Sequence, residues 1–197
     1  MKINENSNIR LINNDTYINR LVELHLSAFS NLLSGTIGKR FLRFYYKRII
    51  KDGFIFAYIE DNSMLGFVSG IINEKLLYNI RFYFNAILGI ITHIYNPNMI
   101  LCFIRHIFRI IKLKGVEINS ELLSIVVDEH YRGKGIGKIL VETLNDFMMK
   151  NGVIKYKVFT DMKYSTGHLL YDKLGFILEK ELCLIGLILR MYVKELK

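Results

Sequence analysis

Hydrophobic residues recur along this chain with two periods, and the switches between them mark its elements. A helical recurrence first sets in over "DTYINRLVELHLSAF", where Ile18, Leu21, Val22 and His25 share a face and Asp15 or Thr16 can cap the start. The same period returns in "GKRFLRFYYKRII": Phe41, Leu42, Tyr45 and Ile49 form an apolar stripe, while Lys39, Arg43 and Lys47 line a basic side. Ahead of these helices, Ile9 to Ile12 reads as a short strand. "FIFAYIE" and "LGFVSGII" are β-rich runs separated by Asp61-Asn62-Ser63-Met64, which predicts an antiparallel hairpin.

From residue 121 the pattern alternates between the two periods. "ELLSIVVDEH" is an apolar, β-branched strand, and "GIGKILVETLNDFMMKNG" a helix with Ile136, Ile139, Leu140, Thr143, Leu144 and Phe147 on one face, stopped by Asn151-Gly152. "KYKVFT" is a further strand and "YSTGHLLYDKL" a helix that Gly175 ends. "FILEKELCLIGLILRMYV" supplies two last strands with a bend around Leu182. Helix-bearing connections between strands imply at least one parallel or splayed strand pair.

Residues 75 to 115 depart from both patterns, since no Asp, Glu, Lys or Arg occurs from Phe82 to Ile104. That length could span a bilayer. The turn-forming Asn96-Pro97-Asn98 sits inside it, which is poorly placed in a spanning helix and instead predicts two helices joined at Pro97. The second carries Arg105, Arg109 and Lys112 opposite Phe103, Ile107 and Ile110, an amphipathic and basic pattern. It fits a helical pair packed on the core and also a peripheral contact with a membrane surface.

Composition narrows the class. A chain of 197 residues with 51% hydrophobic content supports one well-filled core, so a single domain over 1–197 is expected. The two cysteines, Cys102 and Cys183, form neither a disulfide framework nor a metal-binding spacing, and the five histidines (His25, His93, His106, His130, His168) include no H-x-x-x-H pair. No metal site is expected. The polar start MKINENSNIRLINND lacks the apolar core of a secretory signal, and with the unpaired cysteines this predicts a cytoplasmic location. A formal charge of +9 points to an anionic partner: nucleic acid, a membrane surface, or a ligand carrying phosphates.

The stretch "HYRGKGIGKIL" bears on that choice. Gly133, Gly135 and Gly137 alternate with basic residues directly after a strand and run into a helix. A glycine-rich turn at a helix start offers backbone N–H groups that no helical carbonyl satisfies, the helix dipole adds positive potential, and phosphate is the natural guest. Two better-known phosphate loops fail here. A Walker A loop needs Ser or Thr where Ile139 stands, and a dinucleotide G-x-G-x-x-G needs its third glycine at Lys138 or Leu140.

What fits is R-x-x-G-x-G, from Arg132 to Gly137, and downstream "LLYDKLGF", a helix with L-Y-x-K-x-G-F running into a strand. In this order the two resemble the signatures of the GNAT superfamily of acyl-CoA-dependent N-acyltransferases. The resemblance takes in the strand and hairpin pattern of the first 72 residues, is densest from 121 to 176, and does not reach 75 to 115. It implies an α/β (α+β) fold: a central mixed, mostly antiparallel sheet splayed in the middle and flanked by helices, here with a helical insertion around 75–115. Acetyl-CoA is the implied co-substrate.

The same resemblance assigns roles to residues. Val126 and Val127 match strand positions whose backbone pairs with pantetheine, and the loop Arg132, Gly133, Lys134, Gly135, Ile136, Gly137 and Lys138 matches the pyrophosphate cradle. Tyr171 matches a tyrosine that protonates the departing thiolate, a role open to a phenol within hydrogen-bond reach of the sulfur. Glu121, at the start of the central strand, corresponds to a glutamate that deprotonates the amine in some relatives; a solvated strand-end charge is the plainer alternative. Asp128 and His130, beside the loop, are further candidates. The chain departs from the family where Tyr164 replaces an asparagine and Gly167 an alanine ahead of this tyrosine.

The implied reaction is direct attack of a neutral amine on the thioester, polarised by a backbone N–H near Val127, which agrees with the lack of a Ser/His/Asp or Cys/His arrangement. The expected acceptor is a small-molecule amine such as an amino sugar or nucleotide-linked amino sugar, whose phosphates could meet Lys39, Arg40, Arg43 and Arg105. No nucleic acid is expected, because no recognised binding motif is present. Two other roles stay open at this point, a non-catalytic acyl-CoA sensor and a basic module for membrane surfaces or nucleic acid. Oligomeric state is not legible.

Overall fold

The computed structural model describes residues 8–28, 36–73, 117–161, 167–184 and 187–196. The helical pair expected over 75 to 115, with Arg105, Arg109 and Lys112, lies outside them, as do Cys102 and Tyr164. Seven strands, β1 (Ile9–Leu11), β2 (Phe54–Glu60), β3 (Ser63–Ile71), β4 (Glu121–Val127), β5 (Lys155–Asp161), β6 (Ile177–Leu184) and β7 (Leu187–Glu195), form one sheet in the order β1-β2-β3-β4-β5-β7-β6. Every neighbouring pair is antiparallel except β4 with β5. Four helices, α1 (Ile18–Ala28), α2 (Thr36–Asp52), α3 (Ile136–Lys150) and α4 (Gly167–Lys173), are described. None of them is long and apolar enough to cross a membrane.

The two faces of the sheet carry separate cores. On one, Leu21 and Leu24 of α1 and Leu42, Tyr46 and Ile49 of α2 pack on Ile55, Phe67, Ile71 and Val126. On the other, Leu140, Leu144 and Met148 of α3, each fully buried, pack with Tyr171 of α4 on Phe56, Val68, Leu122, Tyr156 and Val158. Each such leucine contributes about 1.5–3 kcal/mol by leaving water, enough for these apolar stripes to set how the helices dock.

Several local expectations shift by a residue or a turn. Asn14, rather than Asp15 or Thr16, is the cap: its side chain accepts from the Thr16 amide at 3.1 Å and opens a 3-10 turn, Asp15–Tyr17, that leads into α1. In α2 the fully buried aromatic is Tyr46, while Phe41 and Tyr45 are only partly covered. In α3, Ile139 faces out at 39% exposure and Val141 and Met148 take the buried face. The final hairpin turns after Leu184, not around Leu182, because Leu182 still pairs with Leu189 across the ladder. The first hairpin is tighter than the four-residue separator suggests. Asp61 and Asn62, with φ of 47° and 60°, make the two-residue turn, and positive φ at both centres matches the right-handed twist of the flanking strands.

The feature that shapes the site is where β4 and β5 part. They pair only at Glu121↔Lys157 and Leu122↔Val158. Beyond that point β4 stays on β3 through Val127, and β5 stays on β7 through Asp161. A gap therefore opens in the middle of the sheet and widens toward Val127. Beside its closed end the β3–β4 register slips: Ser69 faces Ser124 but Gly70 faces Leu122, which leaves Leu123 as a bulge residue.

Candidate active site

The glycine turn stands at the mouth of this gap. Asp128 ends β4 by donating its amide to the Leu65 carbonyl (2.8 Å), and its carboxylate accepts from the His130 amide (3.2 Å) and pairs with Arg20 of α1 (3.0 Å). These contacts fix the 3-10 turn Glu129–Tyr131 and hand the chain to the glycines. Asp128 is thus committed to holding the turn, whereas His130 is exposed, 3.8 Å from Glu129. Gly133 and Gly135 have φ of 79° and 83°, a region costly for side chains, and Gly135 caps α3 without a side-chain partner. A Cβ built at either meets nothing within 4 Å, so the space in front of the turn is open.

The first backbone bond of α3 runs from the Ile139 amide to the Gly135 carbonyl at 3.1 Å. The amides of Ile136, Gly137 and Lys138 consequently have no helical acceptor and face outward with the positive end of the helix dipole. Arg132, Lys134 and Lys138 surround them with exposed charge. Arg132 Nε donates to the Val127 carbonyl (3.2 Å), Lys134 Nζ lies 4.6 Å from the Tyr131 ring centroid, and Lys138 reaches Glu142 at 3.7 Å. Gly137 serves packing: a Cβ there would lie 3.5 Å from Leu170 of α4 and 3.9 Å from Val127, so three elements meet at this point.

The pleat of β4 decides which backbone groups face the gap. The bond from the Asp128 amide to Leu65 marks one hydrogen-bonded pair, and in an antiparallel ladder such pairs alternate. Asp128, Val126 and Ser124 thus direct their amides and carbonyls to β3, while Val127 and Ile125 direct theirs into the gap. Of the two strand positions singled out in the sequence, Val127 presents backbone to the gap and Val126 does not; its side chain is 3% exposed in the core under α1 and α2. Ile125 takes its place. With Arg132 on the Val127 carbonyl, the Val127 amide is the group left to face a ligand.

Tyr171 lies in α4, 4% exposed, its ring 5.1 Å from Phe176 and 5.8 Å from Tyr192. Burial pushes the phenol well above its ordinary range, so it is protonated at neutral pH. Glu121 stands at the closed end of the gap, 2% exposed, not at a solvated strand end. Its partner across β3 is Ile71, which belongs to the core under α1 and α2, so Glu121 faces that side. Lys157, opposite it in β5 and 1% exposed, donates from Nζ to the Ile118 carbonyl at 2.7 Å. Glu121 and Tyr171 are therefore on opposite faces of the sheet.

Other groups at the gap had no sequence signal. Thr160 of β5, past the last pair with β4, is buried and its hydroxyl has no hydrogen-bond partner among the described residues. His25 Nδ1 of α1 and the Tyr46 hydroxyl of α2 are 2.6 Å apart in the core where these helices pack on the sheet. Only the fold brings such distant positions together.

A family model described as "Acetyltransferase (GNAT) family" matches residues 18–176, from the first turn of α1 to the strand after α4. The chain belongs to the GNAT acetyltransferase family. Among curated proteins nothing matches. Solved structures match over nearly the whole length. An N-acetyltransferase from Staphylococcus aureus Mu50 has 20% identity and a TM-score of 0.59, covering 97% of this chain and 100% of its own. The PaiA N-acetyltransferase of Thermoplasma acidophilum, in complex with coenzyme A, has 16% identity and a TM-score of 0.56, covering 93% and 97%. YncA from Salmonella typhimurium, with its cofactor acetyl-CoA, has 15% identity and a TM-score of 0.59, covering 96% and 93%. At these identities the likeness is one of fold. The mixed, mostly antiparallel sheet flanked by helices is thus the GNAT architecture, and the open glycine turn and free strand backbone of this acetyltransferase suit a ligand with a pyrophosphate and an amide-bearing arm.

Proposed function

We propose that this acetyltransferase moves the acetyl group of acetyl-CoA to the primary amine of a small molecule by direct attack. The observation that carries the reading is the early end of β4–β5 pairing at Leu122↔Val158, directly ahead of a glycine turn whose amides have no helical acceptor. The loop from Arg132 to Lys138 holds the pyrophosphate; the gap-facing backbone of Ile125 and Val127, with the Thr160 hydroxyl, meets the pantetheine amides. The neutral amine attacks the thioester carbonyl carbon, the oxygen is polarised by the Val127 amide, and the C–S bond breaks. Glu121 takes the proton from nitrogen, directly or through water, and Tyr171 protonates the thiolate.

For the acceptor, we favour an amino sugar or nucleotide-linked amino sugar. Lys39, Arg40 and Arg43 on the exposed side of α2 offer cations to a phosphorylated substrate, whereas a cationic acceptor calls for acidic surroundings. The test incubates the protein with acetyl-CoA and, separately, glucosamine, a nucleoside-diphosphate amino sugar, spermidine and a peptide with a free amino terminus. Thiol release and product mass are followed. Thiol release that depends on a sugar amine, with an N-acetylated product, is the expected result. Acetyl-CoA binding without amine-dependent release would contradict the reading and make the chain an acyl-CoA-binding protein.

A further inference from the structure

The helix that carries Tyr171 is too short to hold itself in place. α4 has seven residues, about two turns, and isolated helices of that length are marginal in water. The Tyr171 hydroxyl must nevertheless come within hydrogen-bond reach of a sulfur to protonate it, so contacts from outside the helix have to fix its position.

Two devices meet at the C-terminal end of α4. Gly175, at φ 71°, turns the chain so that its own amide donates to the Asp172 carbonyl (3.2 Å) and the Phe176 amide reaches back to the Tyr171 carbonyl (3.0 Å). This pair of bonds is the Schellman arrangement, and the apolar contact that accompanies it is the Phe176 ring, 5.1 Å from that of Tyr171. Tyr171 is thus the residue whose carbonyl closes the cap.

The carbonyls of Leu174 and Gly175 lie just past it, and both accept from one side chain of another element. Lys194 of β7 donates from Nζ to Leu174 at 2.6 Å and to Gly175 at 3.4 Å, with the ammonium 5.7 Å from the Phe176 ring centroid. Such bonds are charge-assisted, and a cation at a helix C-terminus also answers the negative end of the dipole. Tyr192, two residues earlier and so on the same face of β7, packs its ring 5.8 Å from that of Tyr171. β7 therefore holds α4 at two points, beside the Tyr171 ring and at the carbonyl end.

We infer that Lys194 is a positioning residue for protonation of the leaving thiolate: by fastening the carbonyl end of α4 it sets where the Tyr171 hydroxyl stands. Lys194 moves no proton itself. The inference rests on the acid role proposed for Tyr171 and adds what holds that acid in register. Its effect is geometric, since a misplacement of about 1 Å at a reacting group can cost about 100-fold in rate.

The test compares the parent, Lys194→Met, Tyr171→Phe and the double variant, using acetyl-CoA and the amines named above. Lys194→Met keeps the aliphatic stem and removes the donors. It is expected to lower kcat about tenfold and to speed hydrogen exchange at the Gly175 and Phe176 amides by about the same factor, with acetyl-CoA affinity by calorimetry within about threefold of the parent's. In the Tyr171→Phe background the same change should lower kcat by less than about twofold, because the hydroxyl that it positions is gone. Lys194→Gln, shorter and uncharged but still a donor, is expected to lose about threefold and supplies the same comparison if the methionine variant does not fold. A folded Lys194 variant with the parent's kcat, or one that loses the same factor in both backgrounds, overturns this inference and leaves the acid role standing. Tyr171→Phe with the parent's kcat, or acetyl-CoA binding by the parent without turnover of any amine, overturns the acid role and the inference together.

Discussion

Replacing Tyr171 by Phe separates a catalytic from a packing role because the structure assigns them to different atoms. The ring packs against Phe176 and Tyr192, and Phe keeps those contacts. Among the described residues the hydroxyl has no hydrogen-bond partner, so its removal strands no donor or acceptor, and stability should move by less than about 1 kcal/mol. The loss should fall on the chemical step. General acids contribute about 10²–10⁴-fold, and a thiol of pKa near 8.5 already leaves fairly well as its anion, which places the expected fall in kcat at the lower end, about 100-fold. That corresponds to about 3 kcal/mol of barrier. Burial also holds the phenol above its ordinary range, so the parent should show no alkaline loss of rate near pH 10 from this group. Thiol release under saturating amine gives kcat, and thermal melting checks the fold. An unchanged kcat in a stably folded Tyr171→Phe protein would refute the acid role, whereas an alkaline limb at pH 10 that the variant abolishes would keep that role and refute the upward shift of the phenol.

Glu121→Gln should lower kcat by about 100-fold or more at neutral pH with acetyl-CoA binding intact, and part of the loss should return as pH rises and more of the amine is neutral; a pH-independent rate equal to the parent's would remove Glu121 from the mechanism. His25 makes stability depend on acidity. Its folded pKa of about 4 lies below the unfolded 6.5, so the unfolded chain binds more protons between these values and the contribution present above pH 6.5 is lost as pH falls toward 4. The full loss is about 3 kcal/mol, and His25→Gln should flatten that slope in urea titrations at pH 7 and 5. Gly66→Ala places a Cβ 2.8 Å from the Val126 carbonyl oxygen and 3.3 Å from Val127 Cα, backbone atoms that cannot step aside, and should cost about 1–3 kcal/mol in melting experiments.

Periodicity and punctuation made much of this fold legible. Asn151-Gly152 stops α3, Gly175 follows α4 at φ 71°, and the turn from Arg132 to Lys138 lies between a strand and a helix, as its glycines and charges required. Continuous β-rich sequence gave less purchase. From Phe176 to Val193 the one turn residue is Gly186, between the ends of β6 and β7, and the expected bend fell two residues short of Leu184, where β6 ends. The phase of β4 was hidden for a related reason. A strand buried on both faces shows no alternation, so nothing distinguished Val126, whose backbone serves β3, from Val127 and Ile125, which face the gap. Tyr46 and His25 were illegible as a pair because no local spacing encodes a hydrogen bond between α2 and α1.

The account turns on the open glycine turn as the seat of the pyrophosphate, and calorimetric titration with acetyl-CoA of the parent and of Gly135→Glu addresses it most directly. The variant sets a carboxylate among amides that have no helical acceptor, at φ 83°, so melting must first show that it folds. Saturable binding by the parent, and affinity at least about 100-fold weaker in the folded variant, is the predicted result. Equal affinity in both would contradict the account and move the acyl-CoA site away from this turn.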